Sequence, residues 1–115
     1  MRIAFIQKEA YEKIGVHQLV GCLRANGFIV DLFIKQLEPN FYDQITAFRP
    51  DFILYSLFIG EESYMLEYFS KLKILLPDAK TLIGGPFTLI FPDIIKNKQI
   101  DYMIRGDAEY SLILF

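Results

Sequence analysis

The sequence predicts an open α/β domain: a five-stranded parallel sheet, doubly wound, with helices on both faces. Three observations predict it. Five short β-rich runs carry almost no polar alternation, as expected of strands covered on both sides; the stretches between them space their apolar residues like helices; and the connections are only a few residues long. Right-handed crossovers then place helices on both faces of the sheet. A chain of 115 residues is long enough for one such domain and too short for two.

The first strand is Arg2-Ile3-Ala4-Phe5-Ile6-Gln7. Val16, Leu19, Val20 and Leu23 then recur at i, i+3, i+4 and i+7, one apolar stripe on a helix that Asn26-Gly27 stops. Ile29 to Ile34 reads as the second strand, and Asn40 to Phe48 as a short helix before Arg49-Pro50-Asp51. Phe52 to Leu57 forms the third strand. The next helix, from about Ser63 to Leu76, places Met65, Tyr68, Leu72 and Leu75 on one side, and Leu76-Pro77-Asp78 ends it. Lys80 to Ile83 is the fourth strand, a short helix follows Pro92, and Tyr102 to Arg105 is the fifth strand. Ala108 to Phe115 begins a last helix. The length and spacing suit the 2-1-3-4-5 strand order of a flavodoxin-like sheet, whose ligands sit outside the carboxyl ends of the strands where the order reverses.

Composition narrows the partners. Twelve Lys and Arg against fourteen Asp and Glu leave a net charge of −2, so neither a nucleic-acid backbone nor an anionic membrane surface is an expected partner. Cys22 is the only cysteine, which excludes an internal disulfide and any cysteine-built zinc or iron–sulfur site, and with no signal peptide the expected compartment is the cytoplasm. Hydrophobic residues make up 53% of the chain, above an average of about 45 to 50%, yet no run approaches a membrane helix. A sheet buried on both faces takes up much of that excess. Tyr110-Ser111-Leu112-Ile113-Leu114-Phe115, apolar at five of six positions, is expected to have its packing partner beyond a domain boundary.

The loops that matter are Gln7 to Ile14, Phe58 to Ser63, Gly84 to Thr88 and Gly106 to Glu109. Gly84-Gly85-Pro86 removes two Cβ atoms at a strand end, which permits either a close ligand or an ordinary positive-φ turn. Ser56 ends the third strand, but the single histidine, His17, lies a turn inside the first helix, a poor position for a Ser-His pair. Glu61-Glu62 and Asp107-Ala108-Glu109 fall at helix beginnings, where the helix dipole explains them. No GxGxxG or GxxxxGK[ST] motif occurs, and no acidic pair follows the first strand. The chain shows no catalytic apparatus of its own. What is left is an apolar, glycine-lined crevice suited to a large flat cofactor.

Four motifs then align in order. Ser56 at the third strand end, Gly84-Gly85-Pro86, Phe91-Pro92, and Ile100-Asp101-Tyr102-Met103-Ile104-Arg105-Gly106-Asp107-Ala108-Glu109 resemble the N-terminal cobalamin (B12)-binding domain of B12-dependent radical S-adenosylmethionine enzymes. Leu23-Arg24-Ala25-Asn26-Gly27 resembles that family's close of the first helix. The resemblance spans nearly the whole chain. It implies a corrin ring over the carboxyl ends of the strands, with the nucleotide tail beside the Ser56 and Gly84-Gly85 loops. The cofactor-binding residues it implies are Tyr11, Glu12 and Gly15 after the first strand, and Ser56, Leu57, Phe58 and Gly60 after the third. It adds Gly84, Gly85, Pro86 and Phe87 after the fourth, then Gly106, Asp107 and Glu109. Glu12 stands where related domains place a histidine as lower cobalt ligand, so no protein metal ligand is expected. The resemblance further implies that residues 1–115 are cut from a longer protein, whose radical S-adenosylmethionine barrel would be the partner and would hold S-adenosylmethionine and a 4Fe-4S cluster. Two rival readings are an α/β interaction module without cofactor and a small flavodoxin-like electron carrier. The second lacks the hydroxyl- and glycine-rich phosphate cradle in its first loop.

Overall fold

The computed structural model describes residues 1–9, 14–58, 60–85 and 92–104, with the backbone alone for Ile14, Gly15, His17, Pro92 and Ile95. Its elements follow in the order β1 (Arg2–Gln7), α1 (Ile14–Ala25), β2 (Ile29–Ile34), α2 (Phe41–Phe48), β3 (Phe52–Ser56), α3 (Glu62–Leu75), β4 (Lys80–Gly84), a 3₁₀ turn (Pro92–Lys96) and β5 (Tyr102–Met103). All five strands pair in parallel in the order β2-β1-β3-β4-β5. The expected fold class is the observed one.

Burial explains the strand pattern. The central strands β1, β3 and β4 are buried through their middles, whereas β2, at the edge, alternates and leaves Ile29 half exposed. Two cores result. On one face, Val16, Leu19 and Leu23 of α1 pack with Ile3, Phe5, Leu54 and Leu82. On the other, Phe41 and Ile45 of α2 and Met65, Phe69 and Leu72 of α3 pack on Ala4, Ile6, Ile53, Tyr55 and Ile83.

The α3 stripe differs from expectation at one position. Leu75 is 48% exposed, and Phe69 is fully buried in its place. From Met65, a step of ten residues turns about 80° off the stripe at 100° per residue, while Phe69 and Leu76 fall back onto it. Leu76 accordingly packs against the core. The expected helix after Pro92 is a 3₁₀ turn, and β3 stops at Ser56, one residue early. β5 is shorter than expected, although the Ile104 amide still donates to the Ile83 carbonyl at 2.9 Å. The expected last helix lies outside the described residues.

Two family-like motifs have structural work. In Leu23-Arg24-Ala25-Asn26-Gly27, Leu23 is fully buried, and the Arg24 guanidinium donates to the Val30 carbonyl at 2.7 and 3.1 Å, tying α1 to the edge strand. Gly27, at φ +87°, closes the helix: its amide bonds the Arg24 carbonyl and the Phe28 amide bonds the Leu23 carbonyl, a Schellman motif.

Asp101 fastens β5 to β4. Its carboxylate accepts from the Thr81 amide at 2.9 Å and from the Lys73 ammonium of α3. Burial pushes the Asp101 carboxyl up, but the hydrogen bonds from Lys73 and Thr81 outweigh it and hold the group below the ordinary carboxylate value. A depressed native pKa adds stability that is present above the unfolded-state value, near pH 4, and is lost as pH falls through the native one. Asp101→Asn is therefore expected to cost about 2 kcal/mol at neutral pH and to flatten the loss of stability below pH ~4. Urea unfolding at several pH values measures both, and an unchanged acid dependence would contradict the assignment.

Candidate functional site

The carboxyl ends of β3 and β4 bear the loops singled out by sequence, and the structure locks these loops to each other. The Leu57 amide donates to the Gly84 carbonyl at 2.7 Å, extending the strand pairing by one residue past Ser56. Gly85 follows at φ +96°, so close that a Cβ there would stand 2.9 Å from both the Leu57 nitrogen and the Leu57 oxygen, and 3.0 Å from Ser56 Oγ. The need for glycine at position 85 thus arises first within the protein: the backbone of the neighbouring loop fills the space. Gly84 differs, since among the described residues a Cβ there would meet only the Ile104 carbonyl at 3.7 Å, an ordinary contact.

The loop beyond Leu57 is held by the carboxylates that begin α3. Glu61 accepts from the Phe58 amide at 3.3 Å, and Glu62 accepts from the Gly60 amide at 2.9 Å. Both glutamates therefore serve the turn, whose left-handed residue is Gly60 at φ +92°. Among the described residues, none beyond its chain neighbours has an atom within 4 Å of where a Gly60 Cβ would stand.

These constraints sort the expected site residues. Ser56, Gly84 and Gly85 are brought together, half-buried, at the ends of neighbouring strands. Phe58 keeps 37% of its surface exposed on the same rim. Leu57 belongs elsewhere: its side chain is fully buried in the core shared with Met65 and Leu72, so it does not line a crevice. Gly15 lies in the first turn of α1. Tyr11, Glu12, Pro86, Phe87, Gly106, Asp107 and Glu109 lie outside the described residues, as does the expected Phe91 step.

Gln7 joins the rim without having been singled out. It is buried at the end of β1, and its side-chain amide donates to the Glu9 carbonyl at 2.7 Å, fixing where the first loop departs. Its signal was the first polar residue after an unbroken apolar strand. Among the described residues, no group of three or more His, Cys, Asp and Glu is placed to hold a metal ion, and no helix is long and apolar enough to cross a membrane.

The rim is therefore a shelf of backbone on the β3–β4 side of the β1/β3 reversal of strand order, and among the described residues it carries small residues, one exposed aromatic ring and no convergent acid, base or nucleophile. A family model described as B12 binding domain matches residues 8–114. The chain belongs to the B12-binding domain family. The five-stranded parallel sheet and its order agree with that membership. A search of curated proteins finds no match for the chain. In this B12-binding domain the described residues fit a corrin: none of them crowds Gly60, a Cβ at Gly84 would make only an ordinary contact, and Phe58 offers a partly exposed apolar face at the same strand ends.

Proposed function

We propose that this domain binds cobalamin across the carboxyl ends of β3 and β4 and carries it for a radical S-adenosylmethionine barrel in the same protein. The observation that supports the placement is the locked Ser56–Leu57 and Gly84–Gly85 pair beneath an exposed Phe58. Such a shelf is preorganised, so little ordering is required when a large rigid ligand arrives. Bound cobalamin would supply a cobalt centre able to carry a methyl group. The chain's own part is to bind and to orient: Ser56 presents a hydroxyl at the strand end, the Gly84 backbone allows close approach, and Phe58 covers an apolar face. The order of the Gly84-Gly85-Pro86, Phe91-Pro92 and Ile100 to Glu109 motifs, with Glu12 in place of a ligating histidine, supports the radical-enzyme assignment. S-adenosylmethionine, the 4Fe-4S cluster and the catalytic step belong on this reading to the barrel, in the cytoplasm.

Gel filtration of the domain with hydroxocobalamin should carry the corrin visible band with the protein peak. Phe58→Ala should weaken binding about tenfold, as expected for an aromatic contact of roughly 1.5 kcal/mol, while leaving the unfolding midpoint within error. Equal affinity of the two proteins would remove Phe58 from the site. Electron paramagnetic resonance of the Co(II) form should show no imidazole superhyperfine splitting from the protein; its presence would overturn the histidine-free assignment.

A further inference from the structure

A second cavity lies apart from that shelf. It opens at the carboxyl ends of β1 and β2, against α2 and α3, with a volume of about 570 Å³. Its walls carry Lys8, Lys35 and Lys71 together with Tyr42, Tyr64 and Tyr68.

The charges do not cancel. Lys8 lies 3.6 Å from Glu9 and Lys71 lies 3.9 Å from Glu67, which leaves Lys35 with no side-chain partner among the described residues. The excess cation sits in a protein of net charge −2, so the groove differs in sign from the molecule around it. Flat apolar surface accompanies it: the Lys8 ammonium stands 3.9 Å from the Tyr64 ring centre and the Lys71 ammonium 5.1 Å from that of Tyr42.

Tyr42 adds a donor without an acceptor. Its hydroxyl is shut off from water and has no hydrogen-bond partner among the described residues, an arrangement that costs stability unless something supplies the bond. Burial and the neighbouring Glu67 push the Tyr42 phenol up, and burial pushes Tyr68 up to about 12, so both hydroxyls keep their protons at neutral pH. The side chain of Lys71 is 56% exposed and its ammonium stands over the Tyr42 ring, so an anion that reaches the Tyr42 hydroxyl requires local side chains to turn aside.

The geometry points to a second binding site, for a small organic anion on a flat ring, its carboxylate or phosphate held by Lys35 and the Tyr42 hydroxyl and its ring laid against Tyr64. Every wall residue comes from β1, β2, α2, α3 or the turns next to them, and none is among the residues assigned to cobalamin. This site stands whether or not the domain binds cobalamin.

Amide-shift titration of the ¹⁵N-labelled domain with benzoate, phenyl phosphate, benzamide and inorganic phosphate tests it. At least one of the first two should give saturable shifts centred on Lys35, Gln36 and Tyr64, and which one does so identifies the anion. Benzamide and inorganic phosphate should each bind about tenfold more weakly, lacking the charge or the ring. Lys35→Gln should weaken the anion about tenfold, the loss of one charge-assisted contact. Tyr42→Phe should weaken it too, yet unfold no more easily than the parent, since it removes an unpaired hydroxyl. Absence of saturable shifts with either ring anion at millimolar concentration overturns the proposal. So does equal binding of benzamide or inorganic phosphate, or undiminished binding by Lys35→Gln.

Discussion

Gly85→Val is expected to destabilise the domain by about 2 to 6 kcal/mol, through two additive costs. A β-branched residue at φ +96° is held in a region that L side chains avoid, at roughly 1 to 3 kcal/mol, and its Cβ must displace the Leu57 backbone, at about the same again. The atoms in the way are main chain, hydrogen-bonded to Gly84 and continuous with β3, so no rotamer change relieves the contact. Gly84→Ala is the matched control, because its new methyl meets one carbonyl oxygen at 3.7 Å, and it should cost no more than about 1 kcal/mol. Urea unfolding midpoints decide the comparison, and a Gly85→Val midpoint equal to that of Gly84→Ala would refute this reading of the turn. One practical consequence concerns binding assays. A cobalamin defect in a Gly85 variant reports a broken loop as readily as a lost ligand contact, so Phe58 is the better probe of the site.

Leu57→Ala should lose about 3 kcal/mol, the usual cost of truncating a fully buried leucine. The residue stands one position past β3, in a segment where a ligand-lining side chain is equally plausible from sequence, and its burial between α3 and the sheet settles the matter. Thermal or urea unfolding of the ligand-free protein is the measurement. Unchanged stability together with weakened cobalamin binding would return Leu57 to the crevice.

These two residues show what the sequence could and could not reveal. The central strands β1, β3 and β4 were legible because burial on both faces writes an unbroken apolar run, and α1 and α2 were legible because each ends in a recognisable signal, Gly27 for α1 and Arg49-Pro50-Asp51 for α2. Leu75 misled because Phe69 and Leu76 complete the same stripe, and two apolar sets ten or eleven residues apart differ only in angle. At the site, the positions were legible but their reasons were not. A glycine pair looks the same whether it admits a ligand or another loop, and only the 2.9 Å approach to Leu57 separates the two. The carboxylates of Glu61 and Glu62 likewise read as dipole partners until their acceptance from Phe58 and Gly60 is seen. The groove at Lys35 was invisible for another reason: its tyrosines and lysines come from four separate elements, and no local spacing joins them.

The central claim is that cobalamin sits on the shelf formed by the β3 and β4 loops. Amide-shift mapping of the ¹⁵N-labelled domain with diamagnetic hydroxocobalamin tests both binding and place at once. Saturable shifts concentrated at Ser56, Phe58, Gly60, Gly84 and Gly85, with the amino-end turns around Pro50 and Pro77 unmoved, are the predicted result; no shifts, or shifts centred on those amino-end turns, would contradict the account.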